Sequence, residues 1–119
     1  GWLSFDGARE AEANLARLAE PMIGDLYVLD LRGEAENVDP EMPFVVTRVE
    51  AVNDEAVTVR MSRWLYDTAW DAQKAVIRDH PEEPDYWRNQ RWSFERSKLL
   101  SLEASNKLHV ARRAEQRAG

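Results

Sequence analysis

The chain contains no cysteine, only two histidines, and five each of glycine and proline in 119 residues. Without thiols, a disulfide framework and a thiolate metal centre are both excluded, and the redox compartment is left open. His80 and His109 lie too far apart in sequence to form a helical ligand pair. A metal site would have to recruit carboxylates such as Glu82, Glu83 or Asp85, residues too common here to signal one. No run of about twenty apolar residues is available to cross a bilayer. Phosphate-binding and dinucleotide glycine motifs are missing, as is a G-x-S-x-G elbow, and neither histidine shares a turn with Ser62, Ser93, Ser97 or Ser101. The residues therefore point to no catalytic group, no cofactor and no metal. The chain also lacks an initiator methionine. Its opening, Gly1-Trp2-Leu3-Ser4-Phe5, reads equally as a cloning remnant before core residues or as the exit of a membrane anchor in a processed product.

What is present is globular. Hydrophobic residues make up 44% and charged residues 32%, enough for one core and too few residues for two, so residues 1-119 are expected to form a single domain. The net charge of -6 is unevenly spread: residues 1-60 carry -8, residues 61-85 carry -3 and residues 86-119 carry +5. An acidic first half disfavours nucleic acid, whose phosphates need a coherent basic face, and favours a basic protein partner.

Residues 7-20 place Ala8, Ala11, Leu15 and Leu18 at helical spacing behind Asp6 and before Pro21, which predicts an amphipathic N-terminal helix within residues 1-21. Its narrow stripe must dock on the domain, on a second copy as a homodimer, or lead to a membrane anchor. Leu26-Tyr27-Val28-Leu29, Pro43 to Val52 and Ala56 to Met61 are β-branched, largely apolar runs bounded by Gly, Pro and Asn-Asp, and read as three strands. Keeping charge out of the core requires a three-residue loop over Asn53-Asp54-Glu55, with Val49 opposite Val59 and Ala51 opposite Val57. Thr68-Ala69-Trp70-Asp71 opens a helix whose stripe is Ala69, Ala72, Val76 and Ile77, a helical insert at residues 67-80. A fourth strand follows at residues 92-96, then a short helix capped by Ser97 and running to Ala104. Asn106 suits a left-handed closure, Leu108 to Arg112 alternates as the last strand, and residues 114-119 form a frayed tail.

With its inserts removed, this order over residues 22-113 resembles an SH3-like barrel. The resemblance implies an α+β fold built on a small, strongly curved antiparallel β-barrel of about five strands, with the helical insertion between strands 3 and 4. Gly24-Asp25-Leu26-Tyr27, the hairpin, and the ending from Ser97-Lys98-Leu99-Leu100 to Leu108-His109-Val110 resemble small bacterial envelope proteins, some of them similar to immunity proteins encoded beside secreted toxins. That resemblance implies a periplasmic domain, tethered at the inner membrane or free, with a cytoplasmic location as the alternative; it carries over no functional residue.

Two surfaces are candidates for contact. Arg63, Trp64, Tyr66, Trp70, Tyr86, Trp87, Arg88, Arg91, Trp92 and Phe94 crowd into 32 residues. Tyr, Trp and Arg dominate interface hot spots, though they also fill cores. Stacking of single-stranded nucleic acid on them is opposed by the acidic segments around them. The loop bearing Glu34, Glu36, Asp39 and Glu41 is either a solvated rim or a steering surface for a basic protein. The expected partner-binding set is thus Glu34, Glu36, Asp39, Glu41, Trp64, Trp87, Arg88 and Trp92. The expected function is a non-enzymatic, immunity- or inhibitor-type protein that neutralises a toxin. A structural or assembly domain of a membrane-tethered envelope protein is the alternative, and an enzyme the third reading.

Overall fold

Gly24, at φ +97°, turns the chain into the first strand, and a Cβ there would approach the Ala114 side chain at 3.1 Å. The computed structural model describes residues 18–114. Strand β1 (Leu26–Asp30) is followed by β2 (Phe44–Val52), β3 (Ala56–Tyr66), helix α1 (Ala69–Ile77), two 3-10 turns at His80–Glu82 and Pro84–Tyr86, β4 (Trp87–Glu95), helix α2 (Arg96–Ala104) and β5 (Leu108–Arg112). All pairings are antiparallel, in the order β4-β3-β2-β1-β5.

This is a five-stranded α+β fold, and its sheet is open. The closed barrel expected from sequence is not formed, because β4 and β5 lie at opposite edges. A first core covers one face of the sheet. Leu99 and Leu102 of α2, together with Leu18, pack there against Tyr27, Leu29, Val49 and Val59. The opposite face carries a second core, in which Ala72 and Val76 of α1 and the pair Tyr86 and Trp87 cover Leu26, Val28 and Val46. Strand β1 is buried along its whole length because it lies between both cores, which is why its sequence is continuously apolar rather than alternating.

Leu18 is 1% exposed, so the last turn of the predicted N-terminal helix docks on its own domain. The rest of that helix, with the dimer and anchor readings attached to it, lies outside the described residues, as does the tail beyond Ala114. No helix among the described residues is long and apolar enough to cross a membrane.

The β2–β3 hairpin sets Val49 opposite Val59 and turns over Asn53-Asp54-Glu55, as the register requirement demands. Beyond Val49 the expectation is corrected: Ala51 pairs with Thr58 and Val52 with Val57, leaving Glu50 as the extra residue of a bulge. Ala51 therefore faces solvent while Val52 packs on the core. The same bulge places the Glu50 carboxylate among Arg48 (3.3 Å), Arg60 (2.8 Å) and Arg91 (3.5 Å). Burial pushes the Glu50 pKa up, but the Arg60 hydrogen bond and the charges of Arg48, Arg60 and Arg91 outweigh it, and the carboxyl is held below its usual range.

Helix α1 starts where predicted, with Thr68 Oγ1 accepting from Asp71 N at 3.0 Å, and Asn106 adopts φ +62° before β5. Three details differ. Ile77, the last residue of α1, is exposed rather than part of the buried stripe, which is Ala72, Ala75 and Val76. Strand β4 begins at Trp87, five residues earlier than its alternating pattern suggests, through a bulge that hides the alternation. Ser97 lies inside the first turn of α2, whose cap position is Glu95 without a side-chain hydrogen bond.

Candidate functional site

The insert between β3 and β4 builds one wall of a groove of about 560 Å³ that opens beside the second core. Its aromatic wall starts at Trp64, 52% exposed near the end of β3, whose ring stacks on Tyr86 at 6.3 Å with a 24° tilt. The Tyr86 hydroxyl meets that of Tyr66 at 2.7 Å, and its ring meets Trp87 edge-on at 5.0 Å. Arg48 lies 4.7 Å over the far face of Trp87. Burial is the largest influence raising the pKa of both phenols, far above the ordinary value for Tyr86, so both stay neutral at physiological pH. The wall is thus a rigid, uncharged stack with one end in solvent.

The rim is polar and predominantly acidic. Asp67, Asp71, Glu83 and Asp85 line the groove with Lys74 and Arg78, and Met42 enters from the loop that precedes β2. Asp71 is paired with Lys74 at 2.9 Å, and Glu83 faces His80 at 3.3 Å. Asp67 and Asp71 lie close enough to share a side-chain hydrogen bond, which raises the pKa of Asp67 and lowers that of Asp71. Among the described residues no group of three or more acidic or histidine side chains converges on a metal position.

A second cleft, of about 230 Å³, lies at the open seam of the sheet. There Glu36 and Asp39 on the loop face Arg88 and Trp92 on β4, over a floor that includes Met61 and Leu65. Four of the eight sequence-predicted residues therefore meet in one place, and Trp64 lies apart from them on the larger groove. The acidic loop connects the two sites, with residues 35–39 at the cleft and Met42 at the groove.

Trp87 and Glu34 serve the fold. Trp87 is 7% exposed and its Nε1 donates to the Pro81 carbonyl at 2.9 Å, so its ring is held in the core, out of reach of a partner. Glu34 binds Lys98 at 2.8 Å and Lys107 at 3.1 Å, tying the loop to α2 and to the chain entering β5. Glu41 is exposed, and its backbone N–H donates to Asp39 Oδ1 at 2.9 Å, which shapes the loop. Arg88 is half-buried and donates from Nε to the Ser62 carbonyl at 3.2 Å. The expectation missed Asp67, Asp71, Lys74 and Met42 as groove residues. Asp67 directly precedes the helix cap Thr68, and Asp71 and Lys74 lie on α1, so a recognisable helix start was the available signal; nothing local marks Met42.

No protein-family model matches the chain, no curated protein matches it, and no solved structure matches its fold.

Proposed function

We propose that this chain is a non-enzymatic protein-binding domain of the immunity or inhibitor type, acting in the bacterial envelope on a basic protein toxin. The observation that carries this reading is the half-exposed Trp64 ring, braced on Tyr86 at the wall of a groove whose rim holds four carboxylates against Lys74 and Arg78. A rigid aromatic with one free face suits an anchor, and an acidic surround suits a cationic partner. Glu36, Asp39 and Glu41 on the adjoining loop extend the same field. The SH3-like resemblance is supported by the strand order and by the helix that precedes β5.

Parallel capture from native lysate with the wild-type chain and Trp64→Ala is the test. A stoichiometric basic partner, retained by the wild type, released by salt and lost by the folded Trp64→Ala variant, supports the reading. An acidic partner, or capture indifferent to Trp64, overturns it in favour of an assembly domain.

A further inference from the structure

Strand β4 ends the sheet on one side and pairs with β3 alone. Trp87 stands opposite Ser62 and Arg91 opposite Arg60, so Arg88, Asn89 and Gln90 bulge away over the single residue Met61. At Arg96 the chain turns into α2. The straight, pairable stretch is therefore Arg91-Trp92-Ser93-Phe94-Glu95. Its outward backbone edge is bonded to no other backbone segment among the described residues. An open edge of this kind is a template for another strand.

We propose that this stretch pairs antiparallel with the same stretch of a second copy of the chain, about a two-fold axis through Ser93. The sequence is self-complementary in that register. Arg91 faces Glu95 of the second copy, Trp92 faces Phe94, and both contacts repeat across the axis, as an isologous interface requires. The strand's two-residue period sorts the pairs by face. Arg91 reaches Glu50 on one face, with Ser93 bonded to Thr58 at 2.9 Å, while on the other Trp92 and Phe94 pack against the first core, edge-to-face at 5.9 Å. Charge meets opposite charge on one face and aromatic meets aromatic on the other. A slip of one residue would set Arg91 against Phe94 and Trp92 against Ser93, and lose both.

The charged groups concerned have capacity to spare. Arg91 is directly opposite Arg60, an unfavourable like-charge pair, and it reaches Glu50 only at 3.5 Å, on an oxygen that Arg60 already holds at 2.8 Å. Its side chain is 53% exposed, and Glu95 makes no ion pair among the described residues. Glu95 of a second copy supplies a carboxylate of its own to Arg91, which otherwise shares Glu50 with Arg48 and Arg60. The contact is short, so the dimer belongs to the weak class.

Sedimentation from micromolar to millimolar concentration tests the proposal on the wild type, Arg91→Glu, Glu95→Arg and the double variant. Each single change sets like charges together twice and is expected to raise the dimer dissociation constant about tenfold or more. The double change restores opposite charges and with them the dimer. Backbone amides of residues 91–95 in the wild type should gain exchange protection as concentration rises, a readout that needs no variant. A wild type that stays monomeric at millimolar concentration overturns the proposal. So does a dimer that ignores the single changes, or a folded double variant that fails to recover.

Discussion

The indole Nε1 of Trp87 donates to the carbonyl of Pro81 at 2.9 Å, a bond within the insert that pins the two 3-10 turns against the second core. Trp64, which like Trp87 packs against Tyr86, has no such tether among the described residues and keeps half its surface in solvent. Substitution should separate the two. Trp87→Phe is expected to cost about 1–3 kcal/mol, because it leaves the Pro81 carbonyl without its donor. Trp64→Ala should shift stability by no more than about 1 kcal/mol while weakening partner binding by about 2 kcal/mol or more. Urea melts of both variants check the first pair of values. A Trp87→Phe protein as stable as the wild type would refute the structural role.

The four acids of the loop should likewise divide. Glu34→Gln removes the bridge to Lys98 and Lys107 and is expected to cost about 1 kcal/mol. Glu36→Gln, Asp39→Asn and Glu41→Gln together should leave the melting temperature in place and slow association with a basic partner, with a flatter salt dependence. Stopped-flow association and thermal melts on the same proteins make the comparison.

Tyr27 is 1% exposed, and its hydroxyl has no hydrogen-bond partner among the described residues. Burial, reinforced by the charge of Asp25, pushes its pKa well above the ordinary tyrosine range. An unbonded hydroxyl in an apolar core is a cost rather than a gain. Tyr27→Phe should therefore fold normally and be equal to the wild type or more stable by up to about 1 kcal/mol. A clear loss of stability would show that the hydroxyl has a partner.

Stability should fall at both ends of the pH scale. Asp30 is held below its usual value chiefly by the Arg32 side chain, Glu34 by Lys98 and Lys107, and Glu50 by its arginines against the opposing effect of burial. A depressed acid contributes stability that is present above its unfolded pKa of about 4 and is lost as pH drops through the folded value. Tyr27, Tyr66 and Tyr86 are raised, so their contribution is present below about pH 10 and is lost as pH climbs past it. Melting temperature plotted against pH should be flat between these limits. A maximum outside them would contradict the assignment.

Much of this fold was legible because its signals are local. Thr68 caps α1, Asn106 takes the left-handed turn, and the apolar faces of Val49 and Val59 had to coincide. What stayed hidden depends on contacts distant in sequence. The Glu50 bulge exchanges Ala51 for Val52 at the core because three arginines from three strands gather on one carboxylate. Barrel closure was expected from the order of the strands, but order alone does not fix whether the edge strands β4 and β5 meet, and they do not. At the site, residue type identified the aromatic cluster, but Trp64 and Trp87 look alike in sequence; only packing makes one a surface and the other a support.

The two cores meet only through the sheet, chiefly along β1. The groove is built mainly on the second of these cores and touches the first through Leu65. Substitutions in the insert can reshape what the groove accepts while that other core keeps the domain folded. Such a division separates the groove's shape from the domain's stability, a property the proposed partner-binding function would draw on.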